Sequence, residues 1–276
     1  MALPYQIVFG ISESYGRGGP ELIGAAIRLV AVLEHAVGHS VRIQVCGEYT
    51  ELLEGVHAGR VQVAWMSPLL HARAEALGAT LVAVCKRGDA LTYRSALLAR
   101  DDSAIAGLAD VRGKRIAWVD PKSASGYVFP RIELIGAGLD PKRDFASEHF
   151  YASSALAARA VIEGDADVCA CYVGEDAAWS DGAAVADVRR LLGADADRLR
   201  VIHVTDAVPP DGMVVAASVE SAERDRLRDA LVSLGASEHG RAALHALTGA
   251  DALLPVTDAL RRTLAHWSRA ITSDSG

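Results

Sequence analysis

The chain has 276 residues, of which 51% are hydrophobic and 23% charged, and its formal net charge is −7. This is enough apolar residue to bury a sizeable core in one large or two modest domains, and it excludes a disordered chain. The acidic balance argues against a nucleic-acid partner, and no apolar run reaches the length of a membrane-spanning helix.

Residues 6–10 read as a first strand, followed by a loop rich in Gly and Ser. Pro20 suits the first turn of a helix. Leu22, Ile23, Ala26, Ile27, Val30 and Leu33 give that helix an apolar face, and Gly38 ends it. Val41, Ile43 and Val45 alternate in a second strand over 41–46. A short helix closing near Gly59, a third strand over 61–66, a helix opened by Ser67-Pro68 and a fourth strand over 80–85 follow. Strands and helices thus alternate through the first eighty or so residues, which predicts a parallel sheet with helices on both faces.

Residues 90–100 read as one long strand of the kind that can cross between domains, and 101–113 as a polar connector with a short helical turn. A second β–α series begins at 115–119 and continues through a helix over 126–138, a strand over 147–151, a helix over 154–164, a strand over 166–172 and a helical turn near 175–180. After a strand over 200–205, Val208-Pro209-Pro210-Asp211-Gly212 breaks the chain as a second crossing, and a strand resumes at 213–217. The last sixty residues read as helices over 221–234, 238–247 and 257–267. The expected architecture is α/β with two lobes and two crossings. Residues 1–92 plus 209–276 form the first, discontinuous lobe and 93–208 the second, with a ligand cleft between them.

The stretch WVDPKSASGYVFPR, residues 118–131, carries the strongest functional signal. A buried strand ends at Asp120-Pro121, and Ser123, Ser125 and Gly126 stand where a helix begins. A helix N-terminus presents unpaired N–H groups and the positive end of a dipole, so it suits an anion, and small residues let a ligand approach the backbone. Lys122 adds positive charge. An ordinary capped helix explains the same residues. Ser153 and Ser154 open a second helix in this series and are read the same two ways.

The remaining chemistry-bearing residues form no familiar catalytic pattern. His35 and His39 are four apart without an HExxH sequence, and no GxSxG elbow, Walker loop or strand-linked GxGxxG is present. Cys46, Cys85, Cys169 and Cys171 lack CxxC spacing, and the last two face one side of a strand, so buried free thiols are expected. Neither a cofactor nor a metal is called for. The N-terminal MALPYQIVFGISES lacks the basic and long apolar regions of a secretory signal, which leaves a cytoplasmic protein or a periplasmic or cell-surface one whose signal has been removed.

Three segments carry a family resemblance: EYTELLEGVHAGRVQVAWMSP at 48–68, LADVRGKRIAWVDPKSASGYVFPRIELIGAGLDPKRDF at 108–145 and ALAARAVIEGDADVCACY at 155–172, with VIHVTDAVPPDGMVV at 201–215 as a return crossing. The chain resembles the substrate-binding proteins of phosphate, phosphite and phosphonate ABC transporters, a branch of the type 2 periplasmic-binding fold. The resemblance implies that a Ser-Thr-Ser run at a helix N-terminus holds the phosphonate oxygens, and here the run is Ser123-Ala124-Ser125, with the middle hydroxyl absent. It implies ligand contacts from Tyr49 at a helix start and from Tyr93 on the first crossing, while Ser67 lies at a strand end facing the same cleft. Where the family often has Gly-Ser-His, this chain has Ala152-Ser153-Ser154. Glu13, Ser14, Tyr15 and Arg17 in the first βα loop, and Tyr172, Glu175 and Asp176 in a later one, are further candidates.

The expectation is therefore a monomeric solute-binding protein that closes on a small oxyanion, phosphonate-like or phosphate-like, by hinge motion and hands it to an ABC permease with its ATPase. Recognition without chemistry is expected. Two rivals use the same fold: a cytosolic enzyme acting on a small anionic metabolite, and a cytosolic ligand sensor.

Overall fold

The computed structural model describes residues 6–14, 19–174, 181–258 and 260–262. In chain order the elements are β1 (Gln6–Ser12), α1 (Gly19–Val37), β2 (Ser40–Cys46), α2 (Tyr49–His57), β3 (Val63–Met66), α3 (Pro68–Ala76), β4 (Thr80–Lys86) and β5 (Arg94–Arg100). Then come β6 (Arg115–Trp118), a π-turn (Ala124–Val128) running into α4 (Phe129–Gly136), α5 (Pro141–Asp144), β7 (Ser147–Phe150), α6 (Ser154–Glu163), β8 (Val168–Val173) and α7 (Asp181–Leu192). The chain closes with β9 (Leu199–Val204), β10 (Gly212–Val215), α8 (Ser221–Ser233), α9 (Glu238–Thr248) and β11 (Ala252–Pro255).

The chain divides into two compact units. Among the described residues, the first takes 6–13, 19–91 and those from 209 onward, and the second takes 14 and 92–208. The first unit is built on a six-stranded sheet of order β11-β4-β10-β3-β1-β2. Its helix α1 buries Leu22, Ala25, Ala26, Leu29, Val30 and Leu33, the stripe that a 3.6-residue period produces. Phe9, Leu29, Leu33, Leu52, Met66 and Leu70 are fully buried. Each such side chain contributes roughly 1.5–3 kcal/mol of transfer free energy.

The second unit is built on a five-stranded sheet of order β7-β6-β8-β5-β9 with a core on each face. Alternation along the strands sorts the residues. Ala96, Leu98, Cys169 and Cys171 pack on the side of α6, while Leu97, Ala99, Val168 and Ala170 pack on the other side with Trp118 and Leu134. All four cysteines are free and buried.

The structure corrects the sequence reading in four places. The first sheet is mixed and not parallel, because β10 runs antiparallel to both β3 and β4, and β11 runs antiparallel to β4. Residues 252–255, expected within a helical C-terminal region, form β11, because the exposed edge of β4 supplies hydrogen bonds that a four-residue segment cannot make alone. The strand expected over 90–100 starts only at Arg94, because Arg87 and Ala90 first exchange backbone hydrogen bonds across a tight turn. Helix α7 lies where the sequence suggested no helix, and the helical turn expected near 175–180 falls outside the described residues.

Parallel pairing decides where the loops go. In the first unit β2, β1 and β3 are parallel, so their carboxyl ends share one edge. In the second unit β7, β6 and β8 are parallel and β5 is antiparallel to β8. The loops after β6, β7 and β8 and the start of β5 therefore lie along one edge.

Candidate functional site

The edge of the second sheet gathers most of the candidates. After β6, Asp120 Oδ1 accepts from the Lys122 N–H at 2.7 Å and its carbonyl accepts from the Ser123 N–H at 2.9 Å. Asp and Pro build this tight turn for the reason expected from sequence: the short carboxylate replaces backbone acceptors. Ser123 then caps the helix. Its φ and ψ are −72° and 121°, and its Oγ accepts from the Gly126 N–H at 3.1 Å.

The first turn is a π-turn, with the Val128 N–H reaching back to the Ser123 carbonyl at 3.0 Å. Such turns recur at functional sites. Gly126 is required there. A Cβ on it would overlap the Val119 side chain and lie 2.8 Å from Ser123 Oγ. The N–H groups of Ala124 and Ser125 make no hydrogen bond among the described residues, as expected for the opening of a helix. Ser123 Oγ retains its own hydrogen as a donor.

The loop after β7 is laced to this one. Tyr151 N–H donates to the Trp118 carbonyl and Ala152 N–H to the Val119 carbonyl, both at 2.9 Å. Ala152 has φ +65°, the left-handed region, and Ser153 caps α6 by accepting from the Leu156 N–H at 3.2 Å. Two helix N-termini thus face the same sheet edge, a concentration of unpaired N–H groups and positive dipole ends. Ser154 is the first residue of α6, and its own hydroxyl does not form the cap.

Tyr93 joins this group. It bridges to Val208, and Tyr93, Val208 and Ala124 form a small buried cluster flanked by Phe129 and Tyr172. The rings of Tyr93 and Tyr172 are 5.1 Å apart. The methyl of Ala124, where the family resemblance would have a hydroxyl, is buried against Tyr93 and Val208.

Behind the turn, Trp118 Nε1 donates to Glu148 Oε2 at 2.7 Å, and Arg131 pairs with the same carboxylate at 3.1 Å. Tyr127 stacks edge-on between Trp118 and Phe150, and burial pushes its phenol pKa upward.

Tyr49 and Ser67 belong to the other unit. Tyr49 is the first residue of α2 and Ser67 the N-cap of α3; both are buried, and both follow parallel strands at the carboxyl edge of that sheet. Tyr15, Arg17, Glu175 and Asp176 lie outside the described residues. One residue that sequence reasoning passed over is Ser95, a fully buried serine in β5 whose hydroxyl reaches the carbonyl of Ser125 at 2.5 Å. A serine among apolar strand residues was the only local sign of it. Among the described residues no cluster of three or more His, Cys, Asp or Glu side chains could hold a metal ion.

Known proteins share this architecture. A crystal structure of the binding-protein component of an ABC phosphonate transporter from Pseudomonas aeruginosa superposes with a TM-score of 0.81 at 21% identity, covering 98% of this chain and 88% of that one. PhnD1 from Prochlorococcus marinus, in complex with methylphosphonate, gives 0.80 at 14% identity, covering 97% and 98%. At these identities the likeness concerns the fold, which is that of the two-lobed periplasmic binding proteins. The phosphate-import protein PhnD of Mycolicibacterium smegmatis is 37% identical over 116 residues, which span 40% of this chain and 36% of that protein. The model of the family described as "ABC transporter, phosphonate, periplasmic substrate-binding protein" matches residues 22–260, nearly the whole chain, and the chain belongs to that family.

Proposed function

We propose that this protein binds a small phosphorus oxyanion, a phosphonate or phosphate, and that it does so on the outer side of the cytoplasmic membrane to supply an ABC permease and its ATPase. The observation that carries the reading is the π-turn Ala124–Val128 with its cap Ser123. Unbonded N–H groups at a helix start, two serine hydroxyls and a glycine that lets the backbone approach are what a tetrahedral oxyanion needs to replace its hydration shell. Ser153 and Ser154 at the neighbouring helix start would add donors, and Tyr93 with Tyr172 would cover the non-ionic part of the ligand. Oxygens held this way need no titrating partner, so binding proceeds without chemistry. The P. marinus relative was solved with methylphosphonate, and the M. smegmatis relative is a phosphate importer, which supports the ligand class.

The test is thermal stabilisation of the purified protein by methylphosphonate, 2-aminoethylphosphonate, phosphite, phosphate, sulfate and acetate. A ligand at a hundredfold over its Kd adds about 2.7 kcal/mol to the folded state. Stabilisation by a phosphorus oxyanion that is lost in Ser123→Ala/Ser125→Ala is the expected result. Stabilisation by none of them overturns the ligand class. The same measurement on Tyr49→Phe and Ser67→Ala tests the candidates at the carboxyl edge of the other sheet.

A further inference from the structure

Ser95 is the residue of the second unit that the proposed function leaves without a role. It is the second residue of β5, it is 0% exposed, and it is fixed on both sides of its backbone. Its N–H donates to Thr205 Oγ1 at 3.0 Å, and its carbonyl accepts from the Thr205 N–H at 2.9 Å. Thr205 Oγ1 in turn donates to the Asp206 carbonyl at 2.9 Å, so the strand position is held by a satisfied buried network.

The hydroxyl of Ser95 has one hydrogen and two carbonyls within reach. Ser125 O is at 2.5 Å and Cys171 O is at 3.2 Å. The short contact takes the proton, and Cys171 O sits in the β5–β8 ladder beside it. Ser95 therefore grips the peptide between Ser125 and Gly126 by its oxygen. The other end of that same peptide, the Gly126 N–H, is held by Ser123 Oγ at 3.1 Å. One peptide plane in the middle of the π-turn is thus pinned at both ends, once from inside the turn and once from the sheet. A peptide plane clamped this way resists flipping, and it anchors the chain immediately after the N–H groups of Ala124 and Ser125.

We propose that Ser95 is a positioning residue for the oxyanion cradle: by holding the Ser125 carbonyl toward β5 it fixes the π-turn in the conformation that presents the Ala124 and Ser125 N–H groups to an anion. This inference rests on the proposed function for its ligand but not for its geometry. Ser95 touches no ligand; it removes the conformational cost that an anion would otherwise meet on ordering the turn.

The test compares wild type with Ser95→Ala, Ser95→Cys and Ser95→Thr. Ala removes the donor; Cys keeps the shape with a weak donor; Thr keeps the hydroxyl. Affinity for methylphosphonate and phosphate is measured by calorimetry, ligand-free stability by urea, and order in residues 124–128 by amide hydrogen exchange without ligand. The expected result is about a tenfold loss of affinity in S95A and S95C, the worth of one well-placed hydrogen bond. Recovery in S95T and faster exchange confined to 124–128 accompany it. Wild-type affinity in S95A and S95C overturns the proposal. So does a loss of affinity with unchanged exchange at 124–128, or faster exchange spread evenly over the second unit, since either marks a general structural role. If wild type binds neither probe, the ligand reading fails by itself. The exchange of 124–128 in S95C then decides the positioning role, and unchanged exchange sinks it.

Discussion

His71 Nε2 lies 3.2 Å from the carbonyl oxygen of Pro210, and the ring that makes this contact is only 3% exposed. A carbonyl can only accept, so Nε2 carries the proton and Nδ1 is bare. Nδ1 is buried without a hydrogen-bond partner among the described residues. Helix α3 is in this way tied to the segment that leads into β10, beside the 2.6 Å ion pair of Arg87 with Asp211. A second proton would have to enter at Nδ1, where no acceptor among the described residues receives it. Burial lowers the pKa of His71 below 6.5, and the Pro210 carbonyl, Glu75 and Asp211 only partly oppose it.

The sign of the pH dependence follows. Below 6.5 the unfolded chain takes up a proton at this histidine that the folded chain does not, so the unfolded state is favoured as pH falls. The contribution is whole above 6.5 and is lost progressively as pH drops toward the lowered folded value. Urea midpoints from pH 8 to pH 5 should therefore fall more steeply in wild type than in His71→Gln, which can donate to Pro210 without titrating. Parallel curves would show that His71 takes up its proton as readily in the folded protein as in the unfolded one.

Gly126 is the position of the cradle least able to change. Gly126→Ala would drive a methyl group into Val119 and against Ser123 Oγ. Overpacking of this kind costs about 1–3 kcal/mol, and the relief open to the chain is to unwind the π-turn. A lower urea midpoint together with loss of oxyanion binding is expected. An Ala variant with wild-type affinity would mean that the turn can relax without moving its N–H groups.

Ala152 holds a left-handed conformation at φ +65° that costs an L-residue roughly 1–2 kcal/mol. Glycine adopts it freely but gives up about 0.5–1 kcal/mol of chain entropy. Ala152→Gly should be net stabilising by about 0.5 kcal/mol, seen as a higher urea midpoint at unchanged slope. Ala152→Val should be destabilising.

Burial pushes the thiols of Cys85 and Cys171 up to about 12, and both are fully enclosed. Thiolate is the reactive form, so the native protein at pH 8 should resist iodoacetamide at both positions and react only after denaturation. Mass mapping of the labelled sites checks this. Rapid labelling of either in native buffer would show local opening of β4 or β8.

Features encoded within a few residues were legible in the chain. Alternating Val41, Ile43 and Val45 announce a strand, Leu22, Ala26, Val30 and Leu33 announce a buried helix face from which Ile27, expected on it, turns out 56% exposed, and Ser67-Pro68 and Ser123 announce helix starts. Caps and periodicity act through neighbours in the chain, so they can be read from it. Contacts between residues far apart in the chain fixed the rest. β11 is too short to be told from a helix end and exists because β4 has an edge to fill. Ala152 is left-handed because its N–H is drawn to Val119. His71 meets Pro210 across 139 residues, and Ser95 meets Ser125 across 30. A buried hydroxyl or imidazole carries no local signature of its partner; it must be satisfied by whichever polar group the packed sheet brings to it, and that is fixed only when the whole unit closes.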